Sequence, residues 1–123
     1  MKAARTSVNR VNREDTRLWV SALAPVFAWI AAHQLNFLFS PWVCATGRRW
    51  VLYAVTGAAL VAAVAGGVAS WKSWKELPAE GGSGSPVEAR RRFMAGGGLL
   101  LALVFSLAII ALAIPAVVHR PCD

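Results

Sequence analysis

Twenty residues without a charge or a proline lie between Trp50 and Trp71. At about 1.5 Å of rise per residue, a helix of this length spans the roughly 30 Å hydrocarbon core of a bilayer. A buried strand is much shorter, and an amphipathic helix of a soluble protein carries polar residues along one face. Because tryptophan prefers the headgroup region, Trp50 and Trp71 are expected to mark the two membrane surfaces. The segment 50–71 is therefore predicted to be a transmembrane helix.

Small side chains recur at every fourth position of this segment. The main row is Ala54, Ala58, Ala62, Gly66 and Ser70, and a second row, Ala59, Ala63 and Gly67, lies beside it. Small residues allow helix backbones to approach closely in lipid. We therefore expect the segment to be the middle helix of a bundle, packed on both sides through this small face.

Two further apolar segments, 18–40 and 93–118, flank the middle one. Pro25 is expected to kink the first segment, and Pro41 is expected to end it. A length of 123 residues allows only one domain. The fold class is therefore predicted to be all-α, an integral membrane three-helix bundle over 18–123.

The segments outside the membrane are predicted from their composition. Residues 1–17 are polar and basic, and we expect a disordered or frayed tail, with a short surface helix over 14–17 as the alternative. Residues 72–92 contain a run of glycine and serine and are predicted to be a flexible linker. Neither segment carries enough apolar residues to form a core of its own.

The charge distribution predicts an orientation in the membrane. The net charge is +7, but only 15% of residues are charged and 57% are hydrophobic, and the basic residues lie in short blocks beside apolar segments. That pattern is typical of a protein oriented in an anionic bilayer, and no nucleic-acid-reading module accompanies it, so nucleic acid is not an expected partner. Ten lysines and arginines lie in the tail and the linker, and three (Arg48, Arg49 and Arg120) lie on the opposite side. This asymmetry predicts a multi-pass membrane protein with its N-terminus inside and its C-terminus outside.

The first apolar segment also has a basic start, as a secretory signal peptide does. Its apolar run is about twice the usual signal length, and it contains polar residues. We therefore expect it to remain uncleaved as a transmembrane helix.

Both cysteines follow the outer ends of predicted helices, Cys44 after the first and Cys122 after the third. On an oxidising side of the membrane, such a pair favours a disulfide that joins these two helices. Two free thiols are one alternative. Another is a copper site that would also use His119, since thiolate and imidazole suit copper, although no CxxC or paired-histidine spacing supports it. No metal site is predicted as the main interpretation.

Three polar residues interrupt the first apolar segment: His33, Gln34 and Asn36. Helical spacing places Trp29, His33, Asn36 and Ser40 on one face, with Gln34 about 100° away. Polar groups inside a membrane usually face protein, so the main prediction is hydrogen bonding within the bundle or to a partner subunit. A haem ligand and a quinone or proton-relay site are the alternatives. The absence of acidic and basic residues from all three segments argues against an ion-coupled transporter.

No enzyme motif is present in the sequence. It contains no glycine-rich phosphate loop, no nucleophile elbow and no cluster of histidines and carboxylates at metal-ligand spacing. We therefore expect no catalytic residues, no enzymatic activity and no cofactor.

Several short patterns carry a resemblance to a known group of proteins. They are Leu23-Ala24-Pro25 with Trp29 and Gln34, the run 41–47 (PWVCATG), the run 71–75 (WKSWK), and Pro121-Cys122-Asp123. Together they resemble a group of small three-helix inner-membrane proteins of proteobacteria, often found alongside components and assembly factors of haem-copper cytochrome c oxidases. The resemblance implies an accessory subunit or an assembly factor with membrane-protein partners, and His33 is a departure from the group. A redox or copper-handling or haem-handling protein that uses the outer cysteines and the histidines is the alternative.

Overall fold

The computed structural model describes residues 1–77, 85–119 and 122. These residues form three helices: α1 (Lys2–Thr46), α2 (Trp50–Glu76) and α3 (Pro86–Val118), and no strand occurs among them. Each helix is long enough and apolar enough to cross a membrane. The prediction of an all-α chain with three such helices is therefore confirmed.

The three helices form a bundle in which each one packs against both others. At its centre lie Ala32 of α1, Ala59 and Ala63 of α2, and Ile109 of α3, with Trp29 and Leu60 packed against them. Most of these buried side chains are short, so the helices approach closely. Most of the large apolar side chains instead lie on the outside of the bundle, which presents an apolar surface of the kind that lipid covers.

The N-terminal tail is helical, which corrects the predicted disorder of residues 1–17. No glycine or proline interrupts the chain between Lys2 and Leu18, so the helix of the first span can propagate backwards without a new nucleus. Three tail hydroxyls also bond to carbonyl oxygens of the preceding turn, those of Thr6, Ser7 and Thr16. The side chains of residues 1–13 are exposed, so this part of α1 extends beyond the bundle.

Pro41 does not end α1, contrary to the prediction. A proline removes one backbone hydrogen bond, and the helix continues for another five residues to Thr46. The helix ends instead at Gly47, which has a left-handed conformation with φ of 70° and donates from its N–H to the carbonyl of Val43 across 2.8 Å. Glycine adopts this conformation without strain, and only two residues then separate it from α2.

The linker predicted over 72–92 is shorter than expected, because α2 extends to Glu76 and α3 begins at Pro86. The start of α3 is capped: the Ser85 hydroxyl accepts from the N–H of Glu88 at 3.3 Å, and Pro86 occupies the first helical position. Serine at the N-cap and proline at the first helical position both favour the start of a helix. The central part of the predicted linker, 78–84, lies outside the described residues.

Pro25 shapes the packing of α1 on α2. Because proline has no N–H, the carbonyl of Ser21 lacks its usual helical donor four residues later. Gly66 of α2 packs directly over this carbonyl, and a Cβ atom there would lie 2.9 Å from the Ser21 oxygen. Glycine at position 66 therefore allows the two backbones to meet at the proline.

Candidate interaction sites on the bundle

Asn36 connects α1 with α2 inside the apolar part of the bundle. Its Nδ2 donates to Oγ1 of Thr56 across 3.1 Å. Its Oδ1 is buried and accepts no hydrogen bond from the described residues. Of the three predicted polar residues, Asn36 is the one that the structure brings to another helix.

His33 lies at the surface on the α3 side of α1. Its ring stacks on Trp29, with centroids 6.0 Å apart and 17° between the planes, and Trp29 in turn packs against Phe105 of α3 at 5.6 Å. The imidazole makes no hydrogen bond to the residues that the structure covers, and the side chain is exposed. One ring face therefore lies against Trp29, and the ring nitrogens contact no hydrogen-bonding group of the described residues.

Gln34 is also exposed, and it points away from both other helices. Helical geometry places it about 100° from His33, on the side of α1 opposite the core. No hydrogen bond joins its amide to any part of the chain that is described. His33 and Gln34 lie within four residues of the midpoint between Trp19 and Trp42, the two tryptophans of α1 near the expected membrane surfaces.

The main row of small residues divides between the core and the surface, which differs from the single packed face that was predicted. Gly66 and Ser70 are buried, whereas Ala54, Ala58 and Ala62 are exposed. A helix turns by about 400° over four residues, so a row with a spacing of four drifts by about 40° per step. Over four steps the main row therefore passes from the surface into the core. The second row, Ala59, Ala63 and Gly67, is buried along its whole length.

The exposed part of the row lines a shallow apolar groove between α1 and α2. The groove measures about 450 Å³, and its walls carry the alanines at 54, 58 and 62 together with Ala28, Ala31 and Leu35 of α1. A second groove of about 380 Å³ lies between α2 and α3, beside Trp71. Both are open, and both are shaped for hydrocarbon rather than for a polar ligand.

A disulfide joins the ends of α1 and α3. Cys44 and Cys122 are bonded, with their Cα atoms 5.4 Å apart, so the predicted bridge is present. Tyr53 strengthens the same end of the bundle, because its hydroxyl donates to the carbonyl of Ala116 across 3.2 Å. While the bridge is intact, neither sulfur is available as a thiolate ligand for a metal. Residues 1–77, 85–119 and 122 contain no group of three or more metal-binding side chains.

An ion-pair cluster at the opposite end was missed by the sequence analysis. Arg91 of α3 donates from Nη1 to Oε2 of Glu14 at 3.0 Å and from Nε to Oδ1 of Asp15 at 3.2 Å, and Arg90 contacts Asp15 at 3.4 Å. Two members of the cluster, Glu14 and Arg91, border a cleft of about 400 Å³ together with Arg17 and Glu76. The sequence did carry a signal for this cluster, since an acidic pair precedes the first span and an arginine run precedes the third. Because α1 and α3 run parallel, the acidic pair and the arginine run lie at the same end of the bundle.

Comparison with protein-family models, with curated proteins and with solved structures finds no match for this chain.

Proposed function

We propose that this protein is a non-enzymatic, multi-pass protein of a bacterial inner membrane that acts by binding other membrane proteins. Its N-terminus lies inside and its C-terminus outside, in accordance with the excess of lysine and arginine in the tail and in the segment between α2 and α3. The Cys44–Cys122 bridge supports this orientation, because a disulfide persists on the oxidising side of the membrane.

The observation that carries the proposal is the exposed position of His33. In hydrocarbon, an imidazole without a hydrogen-bond partner is costly, and ionisable residues within membrane spans usually face protein or a water-filled cavity. His33 faces neither among the described residues, although its ring stacks on Trp29, which itself packs against Phe105. A partner helix that offers a hydrogen-bonding group on the α1–α3 edge would satisfy it.

The proposed partners are subunits of a respiratory complex of the haem-copper oxidase type, with this protein as an accessory subunit or an assembly factor. Support for this class of partner comes from the short patterns around Pro25, Cys44, Trp71 and Cys122 that resemble small inner-membrane proteins found with such oxidases. The open apolar groove between α1 and α2 offers additional surface for a transmembrane helix.

The test is purification of the tagged protein from native membranes in mild detergent, followed by mass spectrometry and a haem absorbance spectrum. Oxidase subunits are expected to co-purify with the wild-type protein and to be lost with His33→Leu. Leu107→Ala is the matched control, because Leu107 is exposed at a similar level on α3 and should leave the partners bound. Retention of the oxidase subunits by His33→Leu, or their absence from the wild-type preparation, would contradict the proposal.

A second candidate function is redox or copper handling at the disulfide end. Both bridged cysteines are exposed, and His119 follows α3 close to Cys122 in the chain. Reduction of the bridge would release two thiols near an imidazole, a donor set that suits copper. Metal analysis of the purified protein, before and after reduction, distinguishes this function: stoichiometric copper that is lost in Cys44→Ser would favour it.

A further inference from the structure

The outer face of α1 carries a continuous heptad seam within its membrane segment. Alternating steps of three and four residues connect Val20, Leu23, Phe27, Ile30, Gln34, Phe37 and Pro41, and all seven side chains are exposed. For example, Val20 and Phe27 are each 63% exposed, and Phe37 is 79% exposed. This spacing of 3.5 residues is the repeat with which two helices interlock side by side over several turns.

The length of the seam matches the thickness of a membrane. From Val20 to Pro41 it covers about 32 Å of helix, close to the roughly 30 Å of a hydrocarbon core. Continued backwards, the same stripe reaches Thr16, Arg13 and Asn9, which are polar or charged. The apolar repeat is therefore confined to the part of α1 that would be surrounded by lipid.

Gln34 is the one polar member of the seam between Val20 and Phe37. A single amide at such a position stabilises helix association and sets its register, because an unpaired amide in hydrocarbon has no water to bond with. It lies about 100° from His33, so the surface that it marks is separate from the edge proposed for the partner subunit.

We infer that the seam is a self-association surface, on which α1 of a second copy of this chain packs in parallel. Two copies inserted with the same orientation place each residue at the depth of its own equivalent. Gln34 would therefore meet Gln34 of the second copy, and a carboxamide is complementary to itself, since it has both N–H donors and a carbonyl acceptor. An unrelated helix would need a matching polar group at this depth, whereas a second copy supplies it by symmetry.

The bundle leaves room for this arrangement. Helices α2 and α3 pack on the opposite side of α1, against Ala32 and Trp29, so they do not obstruct a helix that approaches Gln34. The disulfide and the Tyr53 hydrogen bond lie at the end of the bundle and do not involve the seam. Each copy would therefore keep its own fold in the dimer.

Förster transfer between donor-labelled and acceptor-labelled full-length protein in lipid vesicles tests the inference. Dimers of the wild-type protein are expected to form as the ratio of protein to lipid rises. Gln34→Leu, a change at an exposed site that leaves the bundle intact, is expected to weaken the dimer about 3- to 20-fold. Transfer no higher than that from random proximity, or an unchanged dimer in Gln34→Leu, would overturn the inference.

Cysteine cross-linking in membranes locates the contact. Ile30→Cys places a thiol on the seam, and Leu35→Cys places one next to Gln34 on the groove side of the same helix. The native cysteines are already bonded to each other, so the new thiol is the one that reacts. Oxidation with copper phenanthroline should produce a covalent dimer of Ile30→Cys and none of Leu35→Cys, and equal yields from the two variants would place the contact elsewhere.

Discussion

Gly98 of α3 lies so close to Ser70 of α2 that a Cβ atom on the glycine would be 2.5 Å from the serine Oγ. The same atom would lie 3.2 Å from the Cα of Ala22 on α1. One glycine therefore sits where all three helices meet, and Ser70 is fully buried at this point. The close contact among the helices depends on the absence of a side chain at position 98.

Gly98→Ala is expected to destabilise the bundle by about 1–3 kcal/mol, because the added methyl group overpacks a site with backbone on one side. Gly97→Ala is the matched control: nothing lies within 4 Å of a Cβ atom at Gly97, and alanine favours a helix over glycine. The stability of both variants is compared through the midpoint temperature of thermal unfolding in detergent. A loss of stability in Gly97→Ala equal to that in Gly98→Ala would mean that the close contact at position 98 does not decide the effect, because helix propensity alone should make both variants more stable.

Arg91→Ala should loosen the end of the bundle at which α1 leaves the apolar region. The Arg91 side chain is only 17% exposed and contacts both Glu14 and Asp15, so its loss leaves Glu14 without its ion pair and Asp15 with only the exposed Arg90. We expect a cost of about 1–2 kcal/mol, since charge-assisted bonds in a partly buried cluster exceed the value of surface pairs. Arg90→Ala is the control.

The Arg90 side chain is 61% exposed and makes a single contact at 3.4 Å, so its removal should cost less than about 0.5 kcal/mol. Hydrogen exchange of the amides of residues 10–17 reports the local effect directly. Protection there should fall in Arg91→Ala and remain in Arg90→Ala. If both variants keep full protection, the ion pairs do not hold this part of α1.

The contrast between the α2 span and the tail shows what the sequence could predict. The span between Trp50 and Trp71 followed from length and composition alone, because a bilayer requires a long apolar helix. No comparable requirement for length or apolarity acts on the tail, residues 1–17. Its helix depends on propagation from the adjacent span and on Asp15 contacts with Arg91, a residue 76 positions away. A tertiary contact of this kind cannot be read from local composition.

The small-residue rows show a second limit. The sequence shows that such rows exist, and Gly66 is indeed buried against Ser21. Which of the alanines face the core depends on how the helix is rotated, and a row with a spacing of four turns around the helix as it proceeds. Ala62, expected on the face through which the helices pack, therefore lies in the surface groove. The outward direction of His33 could not be predicted for the same reason: it depends on the rotation of α1.

The hydrogen bond between Asn36 and Thr56 should be measurable as a coupling free energy. In a double-mutant cycle with Asn36→Ala and Thr56→Val, we expect a coupling of about 0.5–1.5 kcal/mol, the range of polar contacts between helices in a membrane. Thr46→Val serves as the control, because the Thr46 hydroxyl bonds to the carbonyl of Trp42 within its own helix. Asn36→Ala and Thr46→Val should be additive, and a coupling for this pair as large as that for Thr56 would remove the interhelical interpretation.

The proposed orientation predicts opposite behaviour of two reporter fusions. Alkaline phosphatase fused after Asp123 should be active, because the enzyme folds only on the outer, oxidising side. The same reporter inserted at Gly82, between α2 and α3, should be inactive. The reverse pattern would place the tail outside and would leave the Cys44–Cys122 bridge on the reducing side of the membrane.

The bridge itself makes the last prediction. Cys44 and Cys122 are 78 positions apart, so their bond closes a loop that contains most of the transmembrane bundle. Such a closure restricts the unfolded chain and should contribute about 2–4 kcal/mol. Because both cysteines belong to one bond, Cys44→Ser, Cys122→Ser and the double variant should lose the same stability, and a reductant should lower the stability of the wild-type protein to that level.

In membranes, neither cysteine should react with an alkylating reagent until the bridge is reduced. Free labelling of both thiols without reductant would show that the bond is absent in the membrane, and additive losses in the double variant would show that the two cysteines stabilise the protein separately.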